Sequence, residues 1–150
     1  MLKNIPSTLS PDLLWCLAAM GHADKLVVVD RNFPAVDVAR STSSGRLIEL
    51  PGLDIPQAIA TILRVMPLDD FVKAPLACMQ VVGKPDEILP MQKEVHAIAR
   101  KAEGRDIEME RLERFAFYDA ARKGFAVVRT SEFRPYGCFL LQMGVIFEQQ

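Results

Sequence analysis

The sequence predicts an α/β fold: a single three-layer domain with a largely parallel sheet covered by helices. Two observations carry this. Segments with helix caps and a 3.6-residue apolar period alternate with short, unbroken apolar runs. The runs lack the in–out alternation of a half-exposed strand, as expected where helices cover both faces of a sheet. The chain has 150 residues, half of them apolar and a quarter charged, which is enough for one real core. Residues 1–150 therefore read as one domain.

The elements follow in order. Ser10 can N-cap a first helix, Pro11 suits its first turn, and Asp12 complements its positive end. Gly21 can end it in a left-handed conformation. Leu26 to Val29 is a β-branched run that reads as a strand buried on both faces. It stops at Asp30, and Pro34 marks a loop. Ser41 to Gly45 is the most loop-like stretch. A second helix opens with Asp54 and Pro56, and Ile55, Ala58, Ile59, Ile62, Leu63 and Met66 form its apolar face until Pro67. Leu76 to Val82 reads as another buried strand. A third helix runs from about Glu87 to Glu103, with Pro90 leaving its start open and Gly104 after its end. A short extended piece near Ile107 to Met109 leads to a fourth helix, Glu113 to Lys123, closed by Gly124. Phe125 to Thr130 and Cys138 to Leu141 are the last strands.

Composition narrows the function. Eighteen basic and nineteen acidic residues leave no positive surplus for a phosphate backbone, so no nucleic-acid partner is expected. Cys16, Cys78 and Cys138 are scattered and form no CxxC pair. With two histidines, they make a zinc site improbable, so no metal is expected. Reduced core cysteines suit a reducing compartment. No apolar signal core opens the chain, and no stretch approaches the ~18 apolar residues of a membrane span. The expectation is a cytoplasmic protein without membrane contact. No nucleophile elbow, phosphate loop or dinucleotide turn is present, and no cofactor is indicated.

Several residues are candidates for chemistry, each with a plainer alternative. Ligands of such sheets gather at the carboxyl ends of strands, where Asp30 sits. Asp30 could accept hydrogen bonds from a sugar hydroxyl or cap the next turn. His22 can give and take a proton near neutral pH. By position alone it reads as a loop histidine bonded to a carbonyl. His96 reads as a solvated helix residue, and Asp69 and Asp70 as turn starters. Arg114 and Tyr118, four apart on a helix, could hold a polyol, or their helix could simply pack Phe115 and Phe117. Gly137, in Tyr136-Gly137-Cys138, could let a ligand approach the backbone or mark a bulge.

The string from Gly21 to Ala35, with His22 and Asp30 framing the strand, resembles the N-terminal signature of the fucose mutarotase / ribose pyranase (RbsD/FucU) family. Arg114-Phe115-Ala116-Phe117-Tyr118 and Tyr136-Gly137 recur in the right order, and the first of these resembles the fucose branch more. The resemblance covers nearly the whole chain. It implies an isomerase that interconverts anomers of a free monosaccharide, with no metal or organic cofactor. L-Fucose is the first choice of sugar, with ribose or galactose as alternatives. It also implies a ring-like or decameric homo-oligomer with sites near subunit contacts. The resemblance makes His22 the proton donor and Asp69 a second catalytic residue. It places Asp30, Met79, Arg114, Tyr118, Tyr136, Gly137 and Cys138 on the sugar. Ala23 replaces a usual glycine, and Cys138 a usual asparagine. A thiol is a weak partner for hydroxyls, so affinity or sugar choice should change if that side chain touches the sugar.

Hemiacetal opening needs a proton delivered to the ring oxygen and one removed from the anomeric hydroxyl. His22 would supply the acid, and Asp69 or a water the base. A regular strand would hold His22 and Asp30 more than ~15 Å apart, too far to share one small sugar. Either the His22 loop folds back or the site combines two protomers, and the second is the expectation, in keeping with the ring assemblies that the resemblance implies. A sugar-binding or transport-accessory module without catalysis is the alternative, and a repurposed oligomeric scaffold a third.

Overall fold

The first helix begins where its cap residue places it. Ser10 accepts the Leu13 N–H at 3.2 Å, and α1 (Pro11–Ala19) follows. The computed structural model describes residues 2–147. After α1 come β1 (Lys25–Val29), α2 (Ala35–Ser41), β2 (Leu47–Leu50), α3 (Ile55–Ile62), β3 (Leu76–Met79), α4 (Pro90–Glu103), β4 (Met109–Leu112), α5 (Arg114–Arg122), β5 (Ala126–Thr130) and β6 (Cys138–Gln142).

The six strands form one sheet in the order β2-β5-β1-β6-β3-β4. The β2–β5, β5–β1 and β3–β4 pairs are parallel, and β6 runs antiparallel to both its neighbours. Successive residues of β1 feed opposite faces. Leu26 and Val28 join a core with α1, α3 and α4, while Val27 and Val29 join a second core with α2 and α5. This is the expected three-layer arrangement, with one strand reversed. That reversal matters for the site. It sets Cys138, the first residue of β6, beside Val29, and Gln142, the last, beside Lys25.

Some boundaries differ from the expectation. α1 ends at Ala19, with an extended Met20 as its C-cap, and Gly21 does not adopt the left-handed cap. α2 and β2 were not anticipated. Pro34 is the N-cap of α2 rather than part of a longer loop, and only Ala35, Val38 and Ala39 of that helix are buried. β2 is a four-residue edge strand with Glu49 exposed. β3 stops at Met79, because the chain turns back with Lys84 N–H on the Val81 carbonyl and Gly83 at φ 75°. α4 starts at Pro90, after an extended Leu89, as the residue before proline prefers. Gly104 caps it at φ 63°. Glu113 precedes α5 as its N-cap and accepts the N–H groups of Phe115 and Ala116.

Candidate active site

The carboxyl end of β1, the amino end of β6, the end of β3 and the start of α5 converge. Asp30, Met79, Arg114, Tyr118, Tyr136 and Cys138 line a cavity of about 160 Å³ there, with Asn32, Phe33, Val82 and Pro135 completing the wall. That is room for one small ring.

Asp30 is 2% exposed. Its Oδ1 accepts the Asn32 N–H at 2.8 Å, so it caps the turn. Its Oδ2 accepts the Gly137 N–H at 3.0 Å and faces the Cys138 thiol at 3.8 Å. Asp30 thus does what the plainer alternative asked of it and still faces the cavity. Burial pushes its carboxyl above the ordinary carboxylate value, although these donors and the Phe33 N–H pull the other way. Burial first, and the neighbouring Asp30 second, push the Cys138 thiol well above its ordinary value. It therefore stays protonated and can donate.

Gly137 is small for the protein's sake. A Cβ there would lie 3.1 Å from Ile55 and 3.2 Å from both Asp30 and Glu132. Its absence lets the backbone N–H reach Asp30. Tyr136 beside it adopts φ 64°, and its hydroxyl accepts the Val82 N–H at 3.3 Å. Arg114 and Tyr118 stand one turn apart on α5, and Phe117 is fully buried while Phe115 is exposed. Among the described residues, Arg114 Nε is buried with no hydrogen-bond partner.

Behind the cavity lies a support that the sequence did not reveal. Glu132 is buried and takes two bonds from the Arg134 guanidinium, at 2.8 and 2.6 Å, and the Ile55 N–H at 3.3 Å. The Arg134 bond is the main reason its carboxyl is held down to about 2. The pair anchors the loop that carries Tyr136 and Gly137 to the start of α3. Its sequence signal, opposite charges flanking Phe133, is common to many surface loops.

The opposite end of β1 holds a second cluster. His22 Nε2 lies 3.2 Å from Asp69 Oδ2, and the Phe71 ring meets the His22 ring edge-on at 5.2 Å. Among the described residues, His22 binds no carbonyl, and Asp69, at 1% exposure, is no solvated turn residue. Its Oδ1 accepts the Phe71 N–H at 3.0 Å, and its Oδ2 the Gln142 amide at 2.7 Å. Arg105 donates to its carbonyl at 2.8 Å. Burial pushes the Asp69 carboxyl up, but the bonds from Phe71, Gln142 and His22 outweigh it and hold it below the ordinary value. Ala23, next to His22, sits at φ 68°, a conformation glycine adopts without strain. His96 is half-buried rather than free in solvent: its Nε2 lies 2.7 Å from the Ile107 carbonyl and ties α4 to the approach of β4. Among the described residues, no group of three or more His, Cys, Asp or Glu side chains could hold a metal ion.

The predicted residues therefore fall into two groups. Asp30, Met79, Arg114, Tyr118, Tyr136, Gly137 and Cys138 gather at one end of β1. His22 and Asp69 pair at the other. Five strand residues lie between, which holds His22 and Asp30 of this chain more than ~15 Å apart.

Comparison with known proteins gives this two-ended arrangement a family. A model of the RbsD / FucU transport protein family matches residues 3–146. The chain belongs to that family. It is 40% identical to the fucose mutarotase of Homo sapiens over 148 residues, covering 97% of this chain and 94% of that protein. The crystal structure of protein Atu2016 is similar at a TM-score of 0.94 and 44% identity, covering 98% of this chain and 97% of the other. The fucose mutarotase of Streptococcus pneumoniae, solved in complex with L-fucose, is similar at a TM-score of 0.84 and 33% identity, covering 97% and 100%. Among the described residues, no helix is long and apolar enough to cross a membrane.

Proposed function

We propose that this protein is a monosaccharide mutarotase that interconverts the anomers of free L-fucose by acid–base ring opening and closure. The observation that carries the reading is the cavity at the end of β1. It is sized for one ring, and offers a buried carboxylate, phenols and a guanidinium nitrogen without a partner. The family relatives named fucose mutarotase supply the sugar.

Asp30, Arg114 and Tyr136 hold hydroxyls in this reading, and Met79 and Tyr118 form the wall. Gly137 and Cys138 hold Asp30. His22 delivers the proton to the ring oxygen, and a water takes the anomeric proton. Asp69 acts through His22, because its side chain is 2% exposed and its oxygens are engaged. The sugar lies in the cavity of one protomer and is reached by His22 of a neighbour, within a ring-like, decameric homo-oligomer. Exposed apolar side chains at both ends support such docking: Phe71 and Phe147 near His22, and Val82 and Phe115 near the cavity. The three buried free thiols fit a cytoplasmic setting.

The test is exchange NMR on the anomeric proton of L-fucose. The native protein should accelerate exchange, and His22→Gln should lose most of a ~10²–10⁴-fold general acid–base contribution. Wild-type exchange in that variant would sink the role of His22. Sugar binding by the native protein without faster exchange would leave a binding module in place of an enzyme.

A further inference from the structure

The contacts around Asp69 fix donor and acceptor roles. Three hydrogen bonds hold its carboxyl below the ordinary value, so it is ionised at neutral pH. An ionised carboxylate only accepts. The His22 nitrogen facing it, Nε2, therefore carries a hydrogen. A neutral imidazole has one N–H, which leaves Nδ1 with a free lone pair. Among the described residues, no other hydrogen bond reaches the ring, and the His22 side chain is 45% exposed.

Gln142 holds this arrangement from two points. It is the last residue of β6, opposite Lys25. Its N–H donates to the Pro75 carbonyl at 2.9 Å, and its own carbonyl accepts the Asp69 N–H at 3.1 Å. Its side-chain amide then donates to Asp69 Oδ2 at 2.7 Å, the same oxygen that faces His22. Without that amide, Oδ2 would be buried with His22 as its one partner, and the carboxylate could turn about its Oδ1 bond to Phe71.

We propose that Gln142 is a positioning residue for the proton transfer: its amide pins Asp69 Oδ2 against His22 Nε2, so that Nδ1 faces the sugar, takes a proton from water to give the imidazolium, and passes that proton to the ring oxygen. This rests on reading His22 as the proton carrier. Glutamine has no charge and never touches the sugar in this scheme; it acts by fixing which ring nitrogen is free.

The experiment is ¹⁵N NMR of the histidine ring nitrogens in the intact assembled protein, with and without Gln142→Met. Methionine keeps the length and removes the donor. The native neutral ring should show a protonated Nε2 and a bare Nδ1. Gln142→Met should show a tautomer mixture and exchange L-fucose anomers about tenfold more slowly, a fraction of the general acid–base contribution. Its affinity for L-fucose should be little changed. A native ring protonated at Nδ1 would overturn the proposal without any variant having to fold. So would a variant that keeps the native tautomer and rate. His22→Gln at wild-type rate would instead overturn the catalytic reading and leave the tautomer assignment standing, so the two failures separate.

Discussion

Asp30 and Asp69 are almost equally buried, at 2% and 1% exposure, yet their carboxyls move in opposite directions. At Asp30 burial wins, because backbone N–H groups and a distant thiol are weak compensation. At Asp69, which lies nearer the surface with less protein packed around it, burial weighs less, and the bonds from Phe71, Gln142 and His22 outweigh it. The cavity end is short of one partner: its carboxylate is hydrogen-bonded, but its guanidinium has an unused N–H. The His22 end is satisfied from within the protein. A buried polar group left short of partners is costly unless a ligand completes it. In the proposed function, the first end receives hydroxyls and the second holds a histidine still.

The sharpest way to break this comparison is complementation. His22→Gln and Arg114→Met should each reduce exchange strongly, since each spoils one end. Co-expressed, they should regain activity, because about a quarter of randomly mixed two-protomer sites carry both intact ends. Activity no greater than the sum of the two pure variants would place both ends in one protomer. Arg114→Met alone should raise KM about 10- to 100-fold, the worth of a hydrogen bond to a charged group, with a smaller change in kcat. An unchanged KM would remove Arg114 from the sugar.

Acid stability tests the support behind the cavity. The Glu132 carboxyl falls from 4.5 to about 2 on folding. A depressed carboxyl stabilises the fold fully above the unfolded value, and that contribution is lost as pH falls from 4.5 towards 2. Glu132→Gln should therefore be less stable at pH 7 by roughly 3 kcal/mol, and the gap should close near pH 2. Urea midpoints across this range would read it; a gap independent of pH would deny Glu132 its role. The smallest effect should come from Ala23→Gly. It relieves a left-handed alanine, but it also loosens the unfolded chain, so stability should move by less than about 1 kcal/mol. A larger loss in thermal unfolding would mean that the Ala23 methyl packs against something essential.

The fold was legible where local chemistry is decisive. Ser10 and Asp54 announce α1 and α3, the Leu26–Val29 run announces β1, and Gly104 closes α4. α2 escaped because it has seven residues, three of them buried, and no side-chain cap. The direction of β6 was hidden, since a doubly covered strand is apolar whichever way it runs. The cavity residues were reached through the strings around Asp30, Arg114 and Tyr136. Asp69 looked like a turn residue because its burial depends on Gln142, 73 positions away. Gln142 and Glu132 stayed invisible for the same reason: their partners are set by tertiary packing and leave no local pattern.

The three cysteines have a use beyond the core they fill. Cys16 sits in α1, Cys78 in β3 and Cys138 at the cavity floor, all buried as free thiols. Burial pushes Cys16 up to about 11, Cys78 up to about 12 and Cys138 well above the ordinary thiol value, so none reacts while the fold is closed. A thiol reagent therefore labels each one at the rate at which its own region opens. The chain carries three built-in clocks, and sugar in the cavity should slow the Cys138 clock while leaving the Cys16 clock at its own pace.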